Sequence, residues 1–322
     1  MAEADVYTKN YISQNAIFAD VFNFFVFGGN QVIKPDVLRD ENIEENAVVF
    51  GSADIKDAQI VQRFRDIFKS AAIKNDGHTF YVMLGVENQS SIHNAMPVRN
   101  AIYDFLQYGK QVNKIAASHK TEGFKGMSGA DFLSGFTTKD KLTPVITLVV
   151  YFGCQKWDAP LSLHQMMDLD TRLSAFVQDY KINLIEPTAL SDEDLHKFAT
   201  DFRQVMEFLK YSNDKQRMAE LLSDDSPYAN ISTSAALVLN SCAGIGIKIN
   251  QKEEKTNMCK AILEIKQEVR EEGREEGREE GREEGAYEKA VTTARNLLAM
   301  KILSLEQIAE ATQLSLSEVA AL

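Results

Sequence analysis

A chain of 322 residues, 44% hydrophobic and 25% charged, describes a soluble globular protein with room for one large domain or two modest ones. No apolar run approaches a membrane span, and the N-terminus MAEADVYTKN lacks the basic and apolar regions of a signal peptide. The net charge of −12 argues against wide, non-specific nucleic-acid binding, although a local patch and a bound metal can still serve a nuclease.

The first apolar pattern lies within residues 10–30. There NAIFADVFNFFVFGGN has helical spacing and closes at Gly28-Gly29, a natural C-cap, with Asp20 in mid-helix. These glycines are a cap and not a phosphate loop, because no Lys-Ser/Thr follows. Residues 36–59 are acidic and polar and read as a loop with some helix.

Two strand-like stretches follow, Ile60 to Lys74 and His78 to Ser90, separated by Asn75-Asp76-Gly77. Asp-Gly is a strong hairpin signal, since both central residues of a type I′ turn need φ > 0. With Asp76 and Gly77 in the turn, Asn75 faces His78, and counting outward brings Asp66 opposite Glu87. Parity supports this register. One face reads Ile67, Lys69, Ala71, Ile73 with Phe80, Val82, Leu84, Val86, which suits a core. The other carries Asp66 and Glu87, with Gln89 on the same side. A slip of one residue would exchange the faces. Cross-strand neighbours lie roughly 4.5–5.5 Å apart at Cβ, where like charges repel. A hard cation such as Mg²⁺ between the two carboxylates removes that cost. Lys69 is on the wrong face to join them.

Met96 to Ala117 reads as a long helix with Pro97 in its first turn and with Arg99 and Tyr103 on one face. Residues 119–141, rich in Gly, Ser and Lys, read as a mobile excursion. Thr143 to Gly153 is a continuous apolar run, expected to be a central strand buried on both faces. The order helix, hairpin, helix, strand fits a mixed α/β layer fold. From about residue 190 the chain turns helical, with a start signal at Ser191-Asp192-Glu193-Asp194.

REEGREEGREEGREEG (Arg270 to Gly285) is a four-residue repeat. Each glycine costs a helix about 1 kcal/mol relative to Ala, while Arg–Glu pairs return only about 0.2–0.5 kcal/mol each. The balance favours a solvated, marginal helix or spacer over a glycine stripe for helix pairing. In the tail, Ser304 with Gln307 and Ser315 with Glu318 form two capping boxes. That gives a helix-turn-helix outline whose last helix lacks the basic side chains for reading bases. A protein-contact or oligomerisation role suits it better.

Asp66 and Glu87 would hold Mg²⁺ or Mn²⁺ for phosphodiester cleavage. The backbone carbonyl of Asn88 is a further metal ligand, Gln89 a group to orient water, and Asp20 a residue to complete the shell. Arg99, Tyr103 and Lys34 are candidates for phosphate contact. The competing reading is that an acidic protein happens to carry two carboxylates at a hairpin edge, with Asp20 facing solvent. The histidines are scattered without ligand spacing. Cys154, Cys242 and Cys259 lack metal spacing and suit a reducing cytoplasm.

The stretch from RDIFKSAAIK through GVENQ to MPVRNAIYDFLQYGKQV resembles the transposase-like family also called recombination-promoting nucleases, within the PD-(D/E)XK superfamily. The resemblance continues through TPVITLVVYFGCQKWDAPLSLHQM to the Glu-Glu-Gly-Arg repeat and helical tail. It implies a restriction-endonuclease-like core (a mixed sheet flanked by helices) over residues 1–187. A helical region at 188–269, a repeat spacer at 270–285 and an HTH-like tail at 286–322 follow. It also implies a Mg²⁺-dependent DNA endonuclease linked to mobile DNA, recombination or phage defence. The chain is further expected to be cytoplasmic and a homo-oligomer, a dimer, without a membrane partner. The superfamily's acidic positions fall on Asp66 and Glu87, its usual lysine on Gln89 and the helix acid on Asp20. Glutamine hydrogen-bonds but adds no charge, which leaves two expectations: slow cleavage, or another cation such as Lys34 or Lys110 in the lysine's place. The alternative is a catalytically weak or inactive nuclease fold that oligomerises through its repeat and tail.

Overall fold

The structure is a computed structural model that describes all residues except 1, 42–43, 48–60, 65, 76–77, 124–127 and 224–225. The chain divides into two compact units, residues 1–259 and 260–322.

The first unit opens with two helices, α1 (Ala2–Ser13) and α2 (Asn15–Phe27). The helix expected from apolar spacing is α2. It ends where expected, with Gly28 at φ 62° donating its N–H to the carbonyl of Asn23. Glycine closes a helix this way at little conformational cost. α1 buries Ala4, Thr8, Tyr11 and Ile12, spaced i, i+4, i+7, i+8, and leaves its other side exposed.

The polar segment after α2 contains the short strands β1 (Arg39–Asp40) and β2 (Glu44–Ala47), where a loop with some helix was expected. β3 (Val61–Phe64) pairs with β2. β4 (Ile67–Asn75) and β5 (His78–Gln89) form the expected antiparallel hairpin. Asn75 lies opposite His78, Ala72 opposite Tyr81 and Ile67 opposite Val86. The turn residues Asp76 and Gly77 lie outside the described residues.

α3 (Met96–Thr121) follows, then α4 (Gly129–Ser134). The expected excursion thus contains a short helix, started by Ser128 and Asp131 capping each other. β6 (Val145–Tyr151) is the apolar run, and β7 (Asn183–Ile185) completes a five-stranded sheet of order β1-β4-β5-β6-β7. The pairs β1–β4–β5 are antiparallel and β5–β6–β7 parallel, so the sheet is mixed. β6 is buried between two strands, as its almost wholly apolar sequence, broken only by Thr147, favours.

Helices cover both faces. On one, Asn88 reaches Thr8 of α1 and Lys69 reaches Asn15 of α2. On the other, Asp104 of α3 accepts hydrogen bonds from Thr147 of β6 at 2.6 Å and Tyr180 at 2.5 Å. This buried carboxylate fixes α3 against the sheet and so fixes the first turn of that helix, where Arg99 sits. After β6, Gly153 is required because a Cβ there would meet the Tyr151 hydroxyl at 2.0 Å. Trp157 then folds back onto Tyr151 at a ring distance of 5.3 Å.

α5 (Asp192–Leu195), α6 (Phe202–Tyr211), α7 (Lys215–Leu221), β8 (Ile231–Ser232), α8 (Thr233–Ala243) and β9 (Lys255–Thr256) belong to the same unit. Tyr11 stacks on Phe202 and donates to Asp201 at 2.7 Å, tying α1 to α6. The expected start at Ser191 is a capping box with Asp194.

The second unit consists of most of α9 (Met258–Met300), with α10 (Leu305–Thr312) and α11 (Leu316–Ala320). α9 runs as one helix through the repeat, whose residues are exposed. Both capping boxes form as expected. Ala294, Ile308, Leu314 and Val319 make a small buried core.

Candidate active site

The last three residues of β5 are Glu87, Asn88 and Gln89, and strand alternation sends their side chains to different layers. Asn88 points to the α1 side, where its Nδ2 donates to Thr8 Oγ1 at 2.5 Å. Glu87 points to the α3 side and is fully buried. The hairpin ladder ends at Ile67 opposite Val86, so the chain just before β4 emerges beside Glu87. Asp66 stands there, and its Oδ2 accepts the backbone N–H of Asn88 at 2.9 Å.

That bond also orients an oxygen. A strand residue directs its N–H and C=O to the same edge. The carbonyl of Asn88 therefore faces the side on which Asp66 lies, while the carbonyl of Gln89 faces β6 and accepts from Phe152 N at 2.8 Å. Gln89 folds back, its Nε2 donating to the Asn88 carbonyl at 2.9 Å.

Arg99 closes the site from α3. Its Nη2 lies 3.1 Å from Glu87 Oε2, and its guanidinium lies 5.8 Å from the centre of the Tyr103 ring. Burial works against the charge on Arg99, but Glu87, Tyr103 and Asp66 more than offset it and raise its pKa. Burial, aided by Glu87, likewise raises Tyr103. Asp66 has its carboxyl pushed above the usual range by burial. Its hydrogen bond from Asn88 and the charges of Arg99 and Lys9 compensate only in part.

A cleft of about 280 Å³ opens onto Asp66, Asn88, Gln89 and Arg99. Its remaining wall includes Asp5 and Lys9 of α1. Neither stands out in the sequence, because Ala4 and Thr8 mark the inward side of α1 only weakly. The alternation of Ala4, Thr8, Tyr11 and Ile12 with polar residues was the signal available. Lys9 is the lysine that lines this cleft; neither Lys34 nor Lys110 does. Glu87 lies beneath the cleft surface and does not line it.

Asp20 is not brought to this cleft. It is buried in α2 and does not face solvent. Its carboxylate accepts the N–H groups of Ala199 and Thr200, each at 2.9 Å, and the Thr200 hydroxyl at 2.6 Å. Those bonds engage it in holding the turn before α6. Lys69 is also occupied elsewhere, at 2.5 Å from Asp40 and 2.8 Å from Asn15.

The oxygen donors suit a hard divalent cation. Mg²⁺ is commonly held by one or two carboxylates with several waters; Asp66 and Asn88 line the cleft, and Glu87 lies buried beneath it against Arg99. Among the described residues, no three or more His, Cys, Asp or Glu side chains converge as a metal cluster. No helix among them is long and apolar enough to cross a membrane.

The model of the family described as "Putative transposase, YhgA-like" matches residues 50–226, more than half of the chain. That span includes Asp66, Glu87, Gln89, Arg99 and the whole of β4 to β7. No curated protein and no solved structure matches the chain.

Proposed function

Since the chain belongs to the YhgA-like transposase family, we propose that it is a metal-dependent DNA endonuclease with a restriction-endonuclease-like PD-(D/E)XK core, acting on mobile DNA or in its exclusion. One observation carries this reading: Asp66 receives the Asn88 N–H at 2.9 Å beside the buried Glu87. Two carboxylates and a backbone carbonyl are thereby gathered at the end of one strand.

Asp66, Glu87 and the Asn88 carbonyl would hold Mg²⁺ or Mn²⁺. When bound, such a cation supplies charge to polarise a phosphate and to acidify a water. The residues supply the rest. Lys9 and Arg99 provide the positive charge that Gln89 lacks, facing the cleft where a phosphate would lie. Gln89 lends an amide for orienting a nucleophilic water. Asp20 contributes through the 199–200 turn, as a pin between α2 and α6.

The test is cleavage of supercoiled DNA by the purified full chain with Mg²⁺ or Mn²⁺. Asp66→Ala and Glu87→Ala should each abolish nicking. Undiminished nicking by both variants would overturn the assignment.

The ion pair between Arg99 and Glu87 favours a second reading, because it neutralises one of the two carboxylates without any metal. On that reading the fold is catalytically silent and acts as an interaction protein through α9 to α11. It predicts no metal binding at Asp66 and an association state that changes when residues 270–322 are removed.

A further inference from the structure

At the far end of β5 three cations, Arg39, Lys114 and Lys141, and two carboxylates, Asp36 and Glu41, surround an exposed aromatic ring. Strand registers place Arg39, Ser70, Met83 and Val145 in one row across the sheet, with Ala72 opposite Tyr81 in the next. These residues share the face that carries Glu87. Tyr81 precedes Glu87 by six positions, a separation of about 20 Å along the strand.

The floor side chains Ser70 and Ala72 are small, and a trough of about 790 Å³ opens above them. Lys114 of α3 and Lys141 line one side. Lys141 is held there by the chain that follows it. Gln111 accepts the Thr143 N–H at 2.7 Å and donates to the Thr143 carbonyl at 3.0 Å, clamping that segment to α3. Arg39 lines the β1 side together with the carboxylates of Asp36 and Glu41. Tyr81 is 66% exposed and lines the trough, so most of its ring is open there.

This arrangement selects an occupant. Lysines along one wall suit a row of phosphates, while Asp36 and Glu41 repel a phosphate backbone from the other. A ring on the floor can stack only on a base whose face is free, and bases inside a continuous duplex are stacked on each other. We propose that the trough binds an unpaired stretch of DNA, and that the substrate class is DNA with a single-stranded region. This rests on the reading of the chain as a DNA nuclease and deepens it.

The experiment uses the full chain in chelator, with fluorescence anisotropy of a labelled oligothymidylate and of a blunt duplex. Oligothymidylate should bind more tightly than the duplex. Tyr81→Ala should weaken strand binding roughly ten-fold, and Tyr81→Trp should retain it. Lys114→Gln and Lys141→Gln should each reduce the slope of log affinity against log salt by about 0.7. Tyr81 is exposed, so its replacement leaves the fold intact. Wild-type affinity in Tyr81→Ala, tighter binding of the blunt duplex, or no strand binding would each overturn the proposal. The nuclease reading fails separately. Tyr81-dependent binding without any metal-dependent cutting sinks the nuclease and leaves the trough standing. Cutting that is indifferent to Tyr81→Ala does the reverse.

Discussion

Arg99 reaches Glu87 at 3.1 Å, and the two differ sharply in exposure: the carboxylate is fully buried, the guanidinium 31% exposed. A buried charge that loses its partner is strongly destabilising, by about 3–5 kcal/mol for a fully buried pair. Because Arg99 is partly exposed, Arg99→Gln should cost about 2–3 kcal/mol, below that range. Adding Glu87→Gln should recover most of the loss. Urea denaturation of the two single variants and the double variant measures this coupling.

Asp66 presents the opposite balance. Its pKa is raised, so ionisation is harder in the fold than in the open chain. Stability is therefore fully present below the ordinary carboxyl range and falls as pH rises through the raised value. Asp66→Asn keeps an oxygen to accept the Asn88 N–H but carries no charge. It should melt at the same temperature as wild type or higher near neutral pH, and lose this part of the pH dependence. Cleavage should be lost in the same variant. Melting curves and nicking rates across a pH series check both halves.

Asp20 is expected to act through stability. Asp20→Ala removes the acceptor of the Ala199 and Thr200 N–H groups and of the Thr200 hydroxyl; Ala199 is exposed and Thr200 half-buried, so each should cost less than the about 1–3 kcal/mol of a fully buried unsatisfied group. The melting temperature should drop markedly. Mn²⁺ affinity of the remaining folded protein, read by calorimetry, should stay at the wild-type value.

Four repeat glycines, Gly273, Gly277, Gly281 and Gly285, have nothing within 4 Å of the position a Cβ would take. Replacing all four with Ala should raise the helicity and thermal stability of α9, at about 1 kcal/mol per site. If the repeat is a solvated rod, the mass measured by light scattering will not change. A change in mass would instead assign the glycines to helix packing.

The hairpin was legible because period-two alternation and an Asp-Gly turn fix a register independently, and both gave Asn75 opposite His78. β6 was legible from its almost wholly apolar run. α1 was not, since Ala4 and Thr8 are weakly apolar and its inward stripe shows only at Tyr11 and Ile12. Without α1 the sequence gives Lys9 no position, and Lys34 and Lys110 stand as the alternative cations. Asp20 shows a similar limit. Its helix could be read from sequence, but its partners lie about 180 residues away, at Ala199 and Thr200. Glu87 and Arg99 could each be placed on an element, yet only the packing of α3 through Asp104 sets them 3.1 Å apart.

The central claim is that Asp66 and Glu87 form a metal centre, and titration calorimetry with Mn²⁺ tests it most directly. The account predicts one saturable Mn²⁺ site in the wild-type chain, lost in Asp66→Asn and weakened in Glu87→Gln. Equal Mn²⁺ binding by all three proteins, or none by the wild type, would contradict it.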